Sequence, residues 1–102
     1  MSIQEIIQQQ ISENTIILYM KGTPQFPQCG FSARAASILN ACGAHFASVN
    51  VLESPEIRQG IKDFSNWPTI PQLYIQGNLI GGSDIMGEMY ENGELQALIS
   101  KV

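Results

Sequence analysis

The sequence predicts an α/β domain built on a small mixed sheet, and three observations carry that expectation. Apolar residues recur at helical spacing in several segments, short β-branched runs lie between them, and a strand–helix–strand unit is followed by a hairpin signal. The order reads α-β-α-β-α-β-β-α-α, too few strands for a doubly wound sheet and too many helices for a sandwich. A crossover between residues 15 and 51 makes the first two strands parallel, with the right-handed sense such units take. The closing hairpin is then antiparallel within the same sheet. At 102 residues the chain is expected to form one domain, residues 1–102.

Each element has a local cause. Ser2 with Glu5 three residues later has the form of a capping box, and Ile3, Ile6, Ile7 and Ile11 follow at helical spacing. Thr15 to Met20 is a β-branched apolar run, expected as a buried central strand. A loop with Pro24 and Pro27 spans Lys21 to Gln28. From Phe31 the residues Ala35, Ile38, Leu39 and Cys42 share a helical face, and Gly43 is a natural stop. His45 to Val51 is expected as the second strand. Ser54-Pro55 opens a helix that buries Ile57, Ile61 and Phe64. Gln72–Gln76 and Leu79–Gly81 flank Gly77-Asn78 as a hairpin, and two short helices separated by Asn92-Gly93 close the chain.

Composition narrows the function. A net charge of −4 argues against non-specific binding to nucleic acid or to an anionic membrane. No apolar run approaches the roughly 20 residues that span a bilayer. Met1 to Glu5 shows neither a basic start nor an apolar stretch, so a reducing, cytoplasmic setting is expected. Two cysteines make no disulfide framework.

Cys29-Gly30-Phe31-Ser32 is the segment richest in chemistry. It puts one thiol at the start of a helix, where unpaired N–H groups and the helix dipole favour a thiolate. Ser32 stands where a redox dithiol would carry its second sulfur, so a functional Cys29 needs a sulfur from outside the chain. The alternative is a small packed hydrophobe. Cys42 lies 13 residues further along the same helix, about 20 Å away at 1.5 Å per residue. An internal disulfide is excluded at that separation, and Cys42 is expected to be a buried, inert side chain.

Lys21-Gly22-Thr23-Pro24, Pro27, Cys29-Gly30-Phe31-Ser32, Trp67-Pro68-Thr69-Ile70-Pro71-Gln72 and Gly81-Gly82-Ser83-Asp84 resemble the monothiol glutaredoxins, especially their short single-domain form. The resemblance runs almost end to end. It implies a thioredoxin fold with strand order 2-1-3-4 and a cis peptide before Pro71. It also implies glutathione binding and the assembly or delivery of [2Fe–2S] clusters, often in concert with BolA-like partners. Some chains of this kind carry an N-terminal thioredoxin-like domain, which is not expected here. Many have cysteine where this one has Ser83, which removes the other thiol expected near the site.

The chemistry of the residues agrees with a glutathione site, since that ligand carries two carboxylates and one ammonium. Lys21 supplies a point charge near Cys29, and Arg58 can fork onto a carboxylate. The resemblance assigns both to the glycyl carboxylate. Ser83 and Asp84 open a helix whose N–H groups suit the γ-glutamyl carboxylate, while the Asp84 side chain accepts from the ammonium. The backbone of Ile70 is expected to pair with the cysteinyl unit, with Phe31, Thr69, Pro71 and Gly82 completing the contacts and Cys29 as the reactive sulfur. Blander readings stand beside these: Lys21 and Arg58 as solvated charges, Asp84 as a helix cap, Thr69-Ile70-Pro71 as a tight turn. Trp67 is expected to pack beside the site, and His45 to sit at a strand edge with no metal role.

Ligand counting bears on the cargo. A [2Fe–2S] cluster generally takes four thiolates, or histidines in their place. One chain offers Cys29 alone, so two chains and two glutathiones close the count as a bridged homodimer, as the resemblance also implies. The leading expectation is a glutathione-dependent cluster carrier that supplies apo iron–sulfur proteins. The alternative is a glutathione-disulfide oxidoreductase with Cys29 as nucleophile. A thioredoxin-fold interaction module without redox chemistry is the third.

Overall fold

A computed structural model describes residues Met1–Val102 as a four-stranded sheet with helices on both faces. The strands are β1 (Ile16–Met20), β2 (Ala47–Asn50), β3 (Gln72–Ile75) and β4 (Asn78–Gly81), in the order β2-β1-β3-β4. β1 runs parallel to β2 and antiparallel to β3, and β3 and β4 form the hairpin. The helices are α1 (Ile3–Glu13), α2 (Gly30–Ala41), α3 (Pro55–Ser65), α4 (Ser83–Glu91) and α5 (Glu94–Ser100). This is the thioredoxin fold, with the strand order that the resemblance implies and the mixed pairing expected from the crossover and the hairpin.

All five residues of β1 are buried, because helices cover both faces of the sheet. Alternation sends Ile16, Leu18 and Met20 to one side, with Leu73, Ile75 and the apolar faces of α2, α4 and α5. Ile17 and Tyr19 go to the other, where Ile7 and Ile11 of α1 and Ile57 and Ile61 of α3 meet them. Full burial of a side chain such as Leu18 contributes about 1.5–3 kcal/mol. The α1 capping box forms as expected, with Glu5 N–H donating to Ser2 Oγ and Ser2 N–H to Glu5 Oε1, each at 3.1 Å.

Three boundaries differ from the sequence reading. β2 begins at Ala47, so His45 precedes the strand and is exposed. Val51 leaves the sheet for a single 3-10 turn, Val51–Glu53, because Asn50 caps it through Oδ1. The hairpin turns at Gln76-Gly77, and Asn78 already pairs with Ile75. Both turn residues have positive φ, 51° and 81°, the type I′ geometry that matches strand twist. Gly77 fits it easily, and Gln76 follows.

Candidate functional site

Cys29 is the N-cap of α2, beyond the C-terminal end of β1, where crevices of α/β sheets open. Its side chain makes no capping bond, so the sulfur faces the free N–H groups of the first turn. The Ser32 N–H is the strongest of the influences that hold the thiol below its ordinary pKa. Burial opposes it, and the Phe31 N–H, the Ser32 hydroxyl and the Lys21 charge reinforce it. Cys42 is the opposite case. It caps the far end of α2, is half-buried rather than fully buried, and desolvation pushes its thiol up. Neither cysteine is bonded to another.

Ser32 does more than lack a sulfur. It is fully buried, and its Oγ accepts the Lys21 N–H at 3.0 Å, fastening the end of β1 to α2. The loop between them is pinned throughout. Gln28 N–H donates to Lys21 O at 2.9 Å, and Thr23 and Phe26 exchange backbone bonds at 3.2 and 3.1 Å. Gly22 N–H donates to Asn50 Oδ1 at 2.9 Å. Phe26, 75% exposed, stands in this short tongue three residues before Cys29.

A cavity of about 420 Å³ opens at Cys29, within the range of small-ligand sites. Its walls come from the end of β1, the start of α2, the segment after α3 and the start of α4. Of the residues singled out from sequence, Lys21, Cys29, Phe31, Thr69, Ile70, Pro71, Gly82, Ser83 and Asp84 all line it. Trp67 does too, in agreement with packing beside the site. The Ile70–Pro71 peptide is cis. Arg58 is the exception: it is half-buried on α3 and does not line the cavity. Lys62, one turn further on the same face and nearer the Trp67–Pro71 segment, does.

α4 presents its unpaired N–H groups to this space. The N-cap is Gly82, without a side-chain cap, so Asp84 does not serve as the helix cap. The Asp84 carboxylate instead lies 3.6 Å from Arg34 on α2, both side chains largely exposed. Such an open pair contributes little to stability. Its position matters more: Lys21 and Lys62 line the cavity and Arg34 reaches its Asp84, so three of the chain's five basic residues meet at one cavity of a molecule with net charge −4. That concentration suits an anionic ligand.

Sequence reasoning missed Lys62, Pro68 and Ile85 in the lining, the Arg34 link, and Gln72 beneath it. The signal for Lys62 was its i+4 spacing from Arg58. Gln72 closes the Trp67–Gln72 block already singled out, and it also reads as a carboxamide opening an otherwise apolar strand, but neither mark gave it a role at the cavity wall.

Comparison with known proteins follows the same line. The glutaredoxin family model matches residues 16–80. A protein named glutaredoxin 4 from Buchnera aphidicola (subsp. Acyrthosiphon pisum) is 57% identical over 102 residues, covering all of this chain and 94% of its own length. A probable monothiol glutaredoxin of Legionella pneumophila, GrlA, is 59% identical over 83 residues, 81% of this chain and 93% of the relative. The solution structure of reduced apo GrxS14 from poplar superposes with a TM-score of 0.83 at 46% identity, covering 97% of this chain and 91% of that one.

Proposed function

The chain belongs to the glutaredoxin family, in its monothiol form, and from that premise we propose that it is a glutathione-dependent carrier of [2Fe–2S] clusters, acting in iron–sulfur assembly and iron homeostasis. The observation that carries the proposal is the lone sulfur. Cys29 lines the cavity with a thiol shifted toward thiolate, while the positions that could hold a second thiol, Ser32 and Ser83, are buried hydroxyls.

Glutathione fits the chemistry of the lining. Lys21 and Lys62 supply charge for the glycyl carboxylate, with Arg58, one turn before Lys62 on α3, as a longer-reaching partner. The free N–H groups at the start of α4 suit the γ-glutamyl carboxylate, and Asp84 suits the ammonium. The backbone of Ile70 pairs with the cysteinyl unit, and Phe31, Thr69, Pro71, Gly82 and Ser83 enclose it. The ligand's thiol then lies beside Cys29.

The cluster is cargo, and the donor set explains how it is held. No three His, Cys, Asp or Glu side chains converge within the chain, so one copy cannot supply four ligands. Two Cys29 thiolates and two glutathione thiolates can. Half of that set exchanges with solution, which suits delivery to apo iron–sulfur proteins, alone or with a BolA-like partner. The two free cysteines suit a reducing cytoplasm, and no helix is long and apolar enough to cross a membrane.

The second reading is a reductase, favoured by the depressed pKa of Cys29. Its thiolate would attack a glutathione mixed disulfide, expel the other thiolate, and be released as a second glutathione leaves as its disulfide. On the carrier reading, the hydrogen-bonded loop that leads into Cys29 slows that second attack, and neither Ser32 nor Ser83 supplies a resolving sulfur in its place. Two assays on one preparation separate the readings: steady-state reduction of a small glutathione mixed disulfide, and cluster transfer to an apo-ferredoxin followed by circular dichroism. The carrier account expects slow turnover and ready transfer. Turnover typical of a dithiol glutaredoxin, without transfer, supports the reductase.

A further inference from the structure

We propose that Gln72 is a positioning residue for the ligand: its buried carboxamide holds the Trp67–Pro71 segment in the shape that offers the Ile70 backbone to the ligand's cysteinyl unit. The proposal rests on the glutathione reading of the cavity and deepens it.

Gln72 is the first residue of β3 and is fully buried. Its Nε2 donates to the Trp67 carbonyl at 3.0 Å and to the Thr69 carbonyl at 3.2 Å, using both of its hydrogens. Its Oε1 accepts the Tyr74 hydroxyl at 3.3 Å, from two residues along the same face of the strand. A second anchor lies at the end of α3, where Ser65 Oγ accepts the Trp67 N–H at 3.1 Å and donates to Ile61 O at 2.8 Å. The segment itself has one backbone–backbone bond, Trp67 N–H to Lys62 O at 3.2 Å. From Pro68 to Pro71 no backbone ladder sets its course, and the Gln72 amide grips it from both sides of Pro68.

The geometry demands this residue type. Two carbonyl oxygens turned toward one buried point need two N–H donors there, and a primary amide supplies them without charge. Leucine of similar size would leave the Thr69 carbonyl without its donor, and the Trp67 carbonyl and Tyr74 hydroxyl with only Ser65 in reach. Ionised glutamate would set an anion against two carbonyl oxygens, whereas protonated glutamate still donates once. A buried glutamine that merely satisfied itself would affect stability alone. One that sets the course of the cavity wall also affects ligand affinity.

The probe is reduced glutathione, titrated by NMR into protein kept reduced, across about pH 5.5–7, where the ligand's charges change little. Each variant is read as a ratio to wild type at the same pH, which cancels the contribution of the Cys29 thiol common to all of them. Folded Gln72→Leu is expected to bind about tenfold more weakly throughout. Gln72→Glu should bind nearly as wild type at the acid end and weaken at least about tenfold as its carboxyl ionises, at a pH raised by burial. The titratable and charged groups facing that position are Tyr19 from β1, Tyr74 from β3 and, at the cavity wall, Lys62 from α3. Both tyrosines are shifted up by burial and stay neutral throughout. Tyr74→Phe, which keeps the ring and frees the amide to rotate, should show an intermediate loss and remains informative if the Gln72 variants fail to fold. The pH profile of Cys29 alkylation should be the same in Gln72→Leu and Tyr74→Phe as in wild type, since the groups that shift the thiol are in the first turn of α2 and at Lys21, which these changes leave in place. Wild-type affinity in Gln72→Leu or Tyr74→Phe, or a pH-independent loss in Gln72→Glu, overturns the positioning role. Failure of wild type to bind glutathione overturns instead the reading on which it rests.

Discussion

Cys29→Ser protein, reconstituted anaerobically with iron, sulfide and glutathione, is expected to hold no cluster, while Cys42→Ser retains a wild-type visible spectrum. The expectation is all-or-none because the ligand count leaves no substitute. Cys42 is at the far end of α2, and its thiol is pushed up by desolvation, away from the thiolate a metal needs. Serine in place of Cys29 keeps the N-cap and the size of the side chain but gives up the soft donor. A normal [2Fe–2S] spectrum in Cys29→Ser would remove this residue from the ligand set. Loss in Cys42→Ser alone would mean that the wrong sulfur had been chosen.

Gly22→Ala should cause the largest stability loss of any single methyl addition around the thiol. Gly22 has φ +88°, and a Cβ there would meet the Phe26 carbonyl, the Gln28 nitrogen and Gln28 Cγ. Backbone atoms cannot swing aside as a flexible side chain does, so strain and overlap together amount to about 2–4 kcal/mol. Gly43→Ala is the control, because Gly43 also has positive φ, +69°, but nothing lies within 4 Å of its Cβ position. It should lose only about 1 kcal/mol, the cost of the conformation itself. Urea unfolding of both variants separates the two contributions. Gly22→Ala should also move the pH profile of Cys29 alkylation, since the displaced tongue adjoins the thiol and the end of β1; Gly43→Ala should not. Equal losses in the two variants would show that the tongue is free to move.

The elements with strong local signals were legible in the sequence. The run of β-branched residues from Thr15 identified β1, and Ser2 with Glu5 identified the start of α1 down to its reciprocal bonds. The hairpin was legible as a hairpin, but its turn lay one residue earlier, because Gln76 adopts the positive φ expected of Asn78. That choice depends on which register buries Tyr74 and Ile75, a tertiary matter that the local pattern does not contain.

The cavity divides in the same way. Its glycine, proline and cysteine landmarks were readable because each enforces a backbone shape or a reactive atom. Lys62 was marked only by its i+4 spacing from Arg58, since lysine on an amphipathic helix otherwise reads the same on a cavity wall as in open solvent. Ser32 was read for what it lacks, and its burial and grip on Lys21 emerged only with the packing of α2 against β1. Arg34 lies 50 residues from Asp84 in the chain, and only the apposition of α2 and α4 brings the two together.

The central claim is that two chains and two glutathiones share one cluster through Cys29. Native mass spectrometry of the anaerobically reconstituted protein tests it most directly. The account predicts a species of two chains, one [2Fe–2S] unit and two glutathiones, which falls to apo monomer when glutathione is removed. A cluster held by a single chain, or by a dimer that contains no glutathione, would contradict it.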